Sequence, residues 1–276
     1  DHRDLHSFPT RRSSDLVLLA WAQGAEAKTF KWAFQGDVQT MDPHGLFETM
    51  TLGFQANVYE SLIRRDRDMV IVPNLATKWE NVQPDTWRFT LRQGVKFHNG
   101  NDFTADDVVF SVERIRSEGS DLKVIAGMIE SVNIVDDHTI DLITPAPDPI
   151  LPIQLEIFYI MDKEWAEANN TAAATNVKGG EEGNHANLNA NGTGPYMVTE
   201  RQPDVKTVLV ENPDWWGSKE GNVTEAIFTI EKVWKQPQYQ QWVQKYGRDA
   251  KAVMLFPQVV KGGLLVGAEG GTGVLL

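Results

Sequence analysis

The sequence predicts an α/β fold, mixed sheets with flanking helices, and three observations carry that expectation. Several short runs alternate apolar and polar residues with period two, one stretch carries apolar residues at helical spacing behind a capping residue, and Gly, Asn and Pro punctuate the boundaries. The unit from Leu75 to Arg114 shows all three at once and anchors the rest.

Taken in order, Thr29 to Gln35 alternates as a first strand, and Asp42-Pro43 closes it, because the residue before proline is pushed away from the helical region. A helix is expected from about Met50 to Ile63, with Leu52, Val58, Tyr59 and Leu62 on its packed side. Trp87, Phe89 and Leu91 share one face of a strand that Val95 and Phe97 continue, and Asn99-Gly100 tolerates the positive φ of a turn. Thr104 then caps a helix, Asp106 and Asp107 sit in its first turn where the dipole favours negative charge, and Val108, Val109, Val112 and Ile115 form its apolar face. Ser131 to Val135 and Thr139 to Ile143 alternate around Asp136-Asp137-His138 and predict a hairpin. Pro145, Pro147, Pro149 and Pro152 break the chain, Asp162 caps a helix carrying Trp165 and Ala168, and residues from Thr175 to Gly194 read as a long surface loop. Strands resume at Tyr196 to Glu200, Lys206 to Val210 and Ala226 to Ile230.

Composition narrows the function class. With 26 basic against 38 acidic residues the formal net charge is −12, which disfavours nucleic acid or an anionic membrane as partner. The chain has no cysteine, so disulfides, thiolate metal sites and cysteine nucleophiles are excluded. Six histidines are scattered, none in metal-ligand spacing, so no metal or other cofactor is expected. The sequence also lacks a Gly-x-Ser-x-Gly elbow and a phosphate-cradling glycine loop, so an enzyme is not expected. A carbohydrate-active hydrolase remains conceivable only because acids are abundant, and it requires two carboxyls facing each other across a cleft.

The run Leu75-Ala76-Thr77-Lys78-Trp79-Glu80, then Thr86-Trp87-Arg88-Phe89, Leu91 to Gly100 and Phe103 to Ser111, closely resembles the signature region of family 5 extracellular solute-binding proteins. Thr40-Met41-Asp42-Pro43-His44 upstream, and Gly192 to Tyr196 and Asn212 to Gly217 downstream, fit the same family in the same order. The resemblance runs from about Thr29 to about Ile230. It implies a periplasmic binding protein type II-like lobe, incomplete as given, from a monomeric receptor that captures a peptide or other small solute in the periplasm. Such a receptor delivers its solute to an ABC-transporter permease at the inner membrane. By position in oligopeptide receptors of this family, the segment after the Asp-Pro-His turn lies along the bound peptide; here that is Phe47, Glu48 and Thr49. Extended backbone there exchanges main-chain hydrogen bonds with a peptide, and Glu48 offers a partner for a cationic ligand group. An ordinary solvated loop is the alternative reading of those residues. Trp79, Trp87, Trp215 and Trp216 are expected to pack, Gly192, Gly194 and Pro195 to fix a loop entering a strand, and His98 to be a turn residue.

The two ends read differently. Residues 1–16 have no period, and His6 to Leu16 resembles the translation of a sequencing-adapter oligonucleotide, so an artefactual leader is expected there. Residues 17–27 read as the remnant of a signal peptide, an apolar run before Ala25-Glu26-Ala27. The solute-binding part is then placed at 28–233. Residues 234–276, with Phe256-Pro257 and Val259-Val260-Lys261-Gly262-Gly263, resemble the start of the SYLF lipid-binding domain, which makes a lipid-binding protein the second functional reading. An assembly of three sources accounts for all three parts.

Overall fold

The computed structural model describes residues 27–34, 36–219 and 221–230, together with two short strands near the C-terminal end, Met254–Leu255 and Val274–Leu275, which pair antiparallel. The expected leader (1–16), the signal remnant (17–26 of it) and, those two strands apart, the lipid-domain-like segment lie outside the described residues.

Two four-stranded sheets organise the described chain. The first joins β1 (Lys28–Phe34) in parallel to β10 (Val223–Ile230), which pairs antiparallel with β9 (Lys206–Glu211), and β9 in turn with β8 (Tyr196–Gln202). The second has the order β4 (Ala76–Gln83), β5 (Thr86–Leu91), β7 (Thr139–Ile143), β6 (Ser131–Asp136), antiparallel throughout. A small hairpin of β2 (Ile63–Arg65) and β3 (Ile71–Pro73) stands between them in sequence. Both sheets and the flanking helices agree with the mixed α/β expectation.

The second sheet forms because its period-two pattern buries Phe89, Leu91, Ile140 and Leu142 on one face. Against that face packs α2 (Ala105–Arg114), through Val108 and Val112, with Ile115 at its C-cap. Asp107 fixes the start of α2: its Oδ2 accepts the Thr104 amide at 2.8 Å. The strand from Trp87 ends earlier than expected. Gly94 takes φ +72° and breaks it, so Val95 and Phe97 are buried from an irregular segment instead, and Gly100 at φ +95° makes the expected turn.

A larger departure concerns the helix expected from Met50 to Ile63. Here α1 covers only Thr49–Gln55. The four residues expected on its packed side are all buried, but the chain leaves the helix because its carbonyls are claimed elsewhere: Gly194 N–H donates to Val58 O at 2.9 Å and Tyr196 N–H to Asn57 O at 3.0 Å. Gly192 and Gly194 are required there. A Cβ on Gly192 would lie 2.1 Å from Val58 O. The loop expected from Thr175 to Gly194 also proves less superficial than its composition suggested, since Thr175, Ala186, Asn191 and Thr193 are buried. The helix behind Asp162 is α5 (Lys163–Ala168), and Asp162 accepts the Trp165 amide at 2.9 Å. Two further one-turn helices, α3 (Lys123–Ala126) and α4 (Leu151–Gln154), complete the α-helices among the described residues, beside short 3-10 turns at Leu155–Ile157 and His185–Asn187.

Candidate functional site

The turn Thr40 to His44 is built around a buried carboxylate. Asp42 and Arg114 have fully buried side chains, and the guanidinium meets both carboxylate oxygens at 2.7 Å. Asp42 also accepts from the His44 amide at 2.9 Å, the Thr175 amide at 2.7 Å and the Thr175 hydroxyl at 2.8 Å. Burial alone raises a carboxyl's pKa, but the charge and hydrogen bonds of Arg114 outweigh it and hold Asp42 well below the usual range. His44 beside it is pushed down to about 4, first by burial and then by the Arg114 charge. Its ring is a neutral spacer: Nδ1 accepts from Arg114 at 3.0 Å while Nε2 donates to Tyr159 O at 2.8 Å.

From this anchor the chain emerges at Phe47, Glu48 and Thr49. Phe47 is 54% exposed, Thr49 is exposed and Glu48 half-exposed. Glu48 has extended backbone (φ −143°, ψ 132°), and its carboxylate is the N-cap of α1, accepting from the amides of Met50 at 3.0 Å and Thr51 at 2.8 Å. Burial acts to raise its pKa, but those amide bonds lower it overall. The side chain is therefore committed to the helix. Phe47 N–H donates to Asp121 Oδ2 at 2.8 Å, whereas among the described residues the Phe47 carbonyl and the Glu48 amide have no hydrogen-bond partner. Sequence position brought the segment to notice; Asp121, on a separate stretch of chain, carried no signal.

A second polar node was missed altogether. Glu60 is only 6% exposed, and its carboxylate accepts from Trp216 Nε1 at 2.8 Å, Thr193 Oγ1 at 2.9 Å and Trp215 Nε1 at 3.3 Å. Burial raises its pKa against the pull of these three neutral donors and, last, of the Arg92 charge. The Arg92 guanidinium lies over the Trp216 ring, 3.9 Å from its centroid. Beside this node opens a cleft of about 620 Å³ whose walls include Arg64, Arg65, Tyr159, Tyr196, Trp215 and Lys219. None of Phe47, Glu48 and Thr49 lines it. Its cations are largely engaged within the protein, Arg65 with Glu156 and Lys219 with Glu211.

Trp79, Trp87 and Trp216 pack against the main core as expected. His98 does more than make a turn: Nδ1 accepts the Gly192 amide at 3.3 Å and Nε2 donates to Gly194 O at 3.0 Å, and burial pushes its pKa down to about 4. Three acids, Asp107, Asp162 and Glu164, come close enough to share a cation. However, Asp162 Oδ2 is already taken by the amides of Asn99, Asn101 and Asn191, at 2.8 to 2.9 Å, and both Asp107 oxygens accept backbone amides. No helix among the described residues is long and apolar enough to cross a membrane.

Residues 70–237 match the bacterial extracellular solute-binding proteins, family 5, middle part. The dipeptide-binding protein of Escherichia coli K12 is 28% identical over 241 residues, which is 78% of this chain and 43% of that protein. The nickel-binding periplasmic protein of the same organism is 28% identical over 222 residues, 76% of this chain and 40% of that protein. Among solved structures, the periplasmic binding protein DppA of Helicobacter pylori in complex with peptide STSA superposes with a TM-score of 0.65 at 22% identity, covering 84% of this chain and 51% of that one. The chain thus spans about half the length of the relatives it matches.

Proposed function

Because this chain belongs to the family 5 bacterial extracellular solute-binding proteins, which bind solutes and are not enzymes, we propose that it captures di- or oligopeptides for import by an ABC transporter. Capture takes place in the periplasm, where several relatives are named as residing, and the membrane permease is the downstream partner. The observation that carries the reading is the largely exposed segment Phe47–Glu48–Thr49, whose Phe47 carbonyl and Glu48 amide have no hydrogen-bond partner among the described residues. An extended peptide is recognised through main-chain groups of this kind, independently of its own side chains, which suits a receptor for many sequences. The Glu48 carboxylate acts as a helix cap, so its backbone, not its charge, faces the ligand.

The segment supplies one wall of a ligand cleft. That wall offers a few hydrogen bonds and one exposed aromatic ring, so a Kd of roughly 1 mM or weaker is expected from it alone. Calorimetric titration with a mixed pool of di- to pentapeptides, with nickel–histidine as a parallel arm, tests this. Saturable heat with the peptides supports the proposal; saturation with nickel–histidine alone, or with neither, overturns it.

A further inference from the structure

Asp121 lies 74 residues from Phe47 in sequence, yet its carboxylate Oδ2 accepts the Phe47 amide at 2.8 Å. Its own amide donates to His44 O at 3.1 Å, and the neighbouring Ser120 hydroxyl donates to the same oxygen at 3.3 Å. The second carboxylate oxygen, Oδ1, meets Lys178 at 2.6 Å, with the acid largely covered and the lysine largely exposed. The segment is also packed closely at Gly45, where a Cβ would sit 3.0 Å from Thr175 O and 3.2 Å from Val177 Cγ2. Residues 44–47 are therefore held by two stretches, that at Asp121 and that from Thr175 to Lys178, which are themselves joined by the Asp121–Lys178 pair.

From this geometry we infer that Asp121 is a positioning residue for the ligand segment. By holding the Phe47 N–H it fixes the Leu46–Phe47 peptide plane, from which the next peptide group takes its direction; that group carries the Phe47 carbonyl on one edge and the Glu48 amide on the opposite edge, and one of the two edges meets a peptide. Lys178 holds the free oxygen and keeps the carboxylate turned toward Phe47. The inference deepens the peptide-binding reading and rests on it for its functional half; its structural half stands alone. Only main-chain groups of the ligand are oriented by such a device, so the class of ligand it favours is an extended peptide of any sequence.

Three single variants of the full chain test it, Asp121→Ala, Asp121→Asn and Lys178→Met, each read by hydrogen exchange at the Phe47 amide and by NMR titration with a tripeptide. Asp121→Ala is expected to speed Phe47 exchange and to weaken peptide binding by about tenfold, the worth of one well-placed hydrogen bond. Asp121→Asn keeps an acceptor oxygen and is expected to restore most of both, while the core amides of the second sheet stay protected in all three variants. Lys178→Met is expected to change both readouts by less than Asp121→Ala does. Unchanged Phe47 exchange in Asp121→Ala overturns the inference, as does an Asp121→Asn variant no better than Asp121→Ala. If the wild-type chain binds no peptide while Asp121→Ala still frees the Phe47 amide, the peptide reading fails and the clamp stands.

Discussion

Two of the buried acids, Asp42 and Glu60, are answered in opposite ways. Asp42 meets a guanidinium fork and three further donors, and stays ionised in the interior. Glu60 meets two indoles and a hydroxyl, all neutral, and its pKa rises. The Arg92 guanidinium, seated over the Trp216 ring and donating to Asn74 O, pulls that pKa down through its charge without overcoming burial. The difference teaches what each node is for. A charge-assisted fork is rigid and directional, and Asp42 sits at the foot of the segment that we propose meets the ligand. Neutral donors tolerate either protonation state, and Glu60 joins the loop before β8 and the Trp215–Trp216 turn to the chain leading into β2.

The largest expected effect comes from breaking the ionic node. Arg114→Met leaves a buried carboxylate without its cation and should cost roughly 3–5 kcal/mol in denaturant unfolding. A loss under about 1 kcal/mol would show that Asp42 is not held as a charge. Next in size is Gly192→Ala, whose Cβ would collide with Val58 O. It should cost about 1–3 kcal/mol as an overpacked contact, and a neutral result would mean that the loop has room to retreat. Glu60→Gln sharpens the contrast from the other side, because an amide oxygen can still accept from Thr193 and Trp216; a loss of about 1 kcal/mol or less is expected. If Glu60→Gln proved as damaging as Arg114→Met, the two nodes would not differ in kind.

The last effect is a pH dependence. His44 and His98 both have folded pKa values near 4, depressed from 6.5. Between those values the unfolded chain binds the protons that the folded chain refuses, so their contribution is complete above about pH 6.5 and is lost as pH falls toward 4. Asp107, raised to about 6 by burial, runs the other way: its contribution is greatest below the ordinary carboxyl range and is lost as pH rises through 6. Stability from pH 7 down to 4.5 should therefore fall in the wild type and fall less in His98→Asn. NMR titration of the His98 ring gives the direct check, with no proton uptake expected between pH 7 and 5.

Much of the fold was legible because its signals are local. The β5–turn–α2 unit, the β6–β7 hairpin and the strands β8, β9 and β10 each follow from alternation, a cap or a turn within a few residues. The nodes were not, because their partners are far apart in sequence: Arg114 and Asp42 by 72 residues, Trp216 and Glu60 by 156. One trace of the first was present. Asp107, Ser111 and Arg114 fall at helical spacing beside the apolar stripe of α2, and all three are buried. A polar stripe next to an apolar one signals buried hydrogen bonding on that side. The end of α1 was illegible for a physical reason: Val58 and Tyr59 suit a helix face, but tertiary hydrogen bonds from Gly194 and Tyr196 take the chain elsewhere. The candidate segment itself was placed by family resemblance and position, and its backbone groups without partners among the described residues emerge only in three dimensions.

The central claim, that peptide is met by the segment after the Asp-Pro-His turn and not by the cleft beside Glu60, is tested most directly by mapping a tripeptide titration onto backbone-amide and indole NMR signals. The account predicts shifts at the amides of Phe47, Glu48 and Thr49, with the Trp215 and Trp216 indole signals unmoved. Shifts of the two indoles with residues 47–49 unchanged would contradict it and move the site to the 620 Å³ cleft.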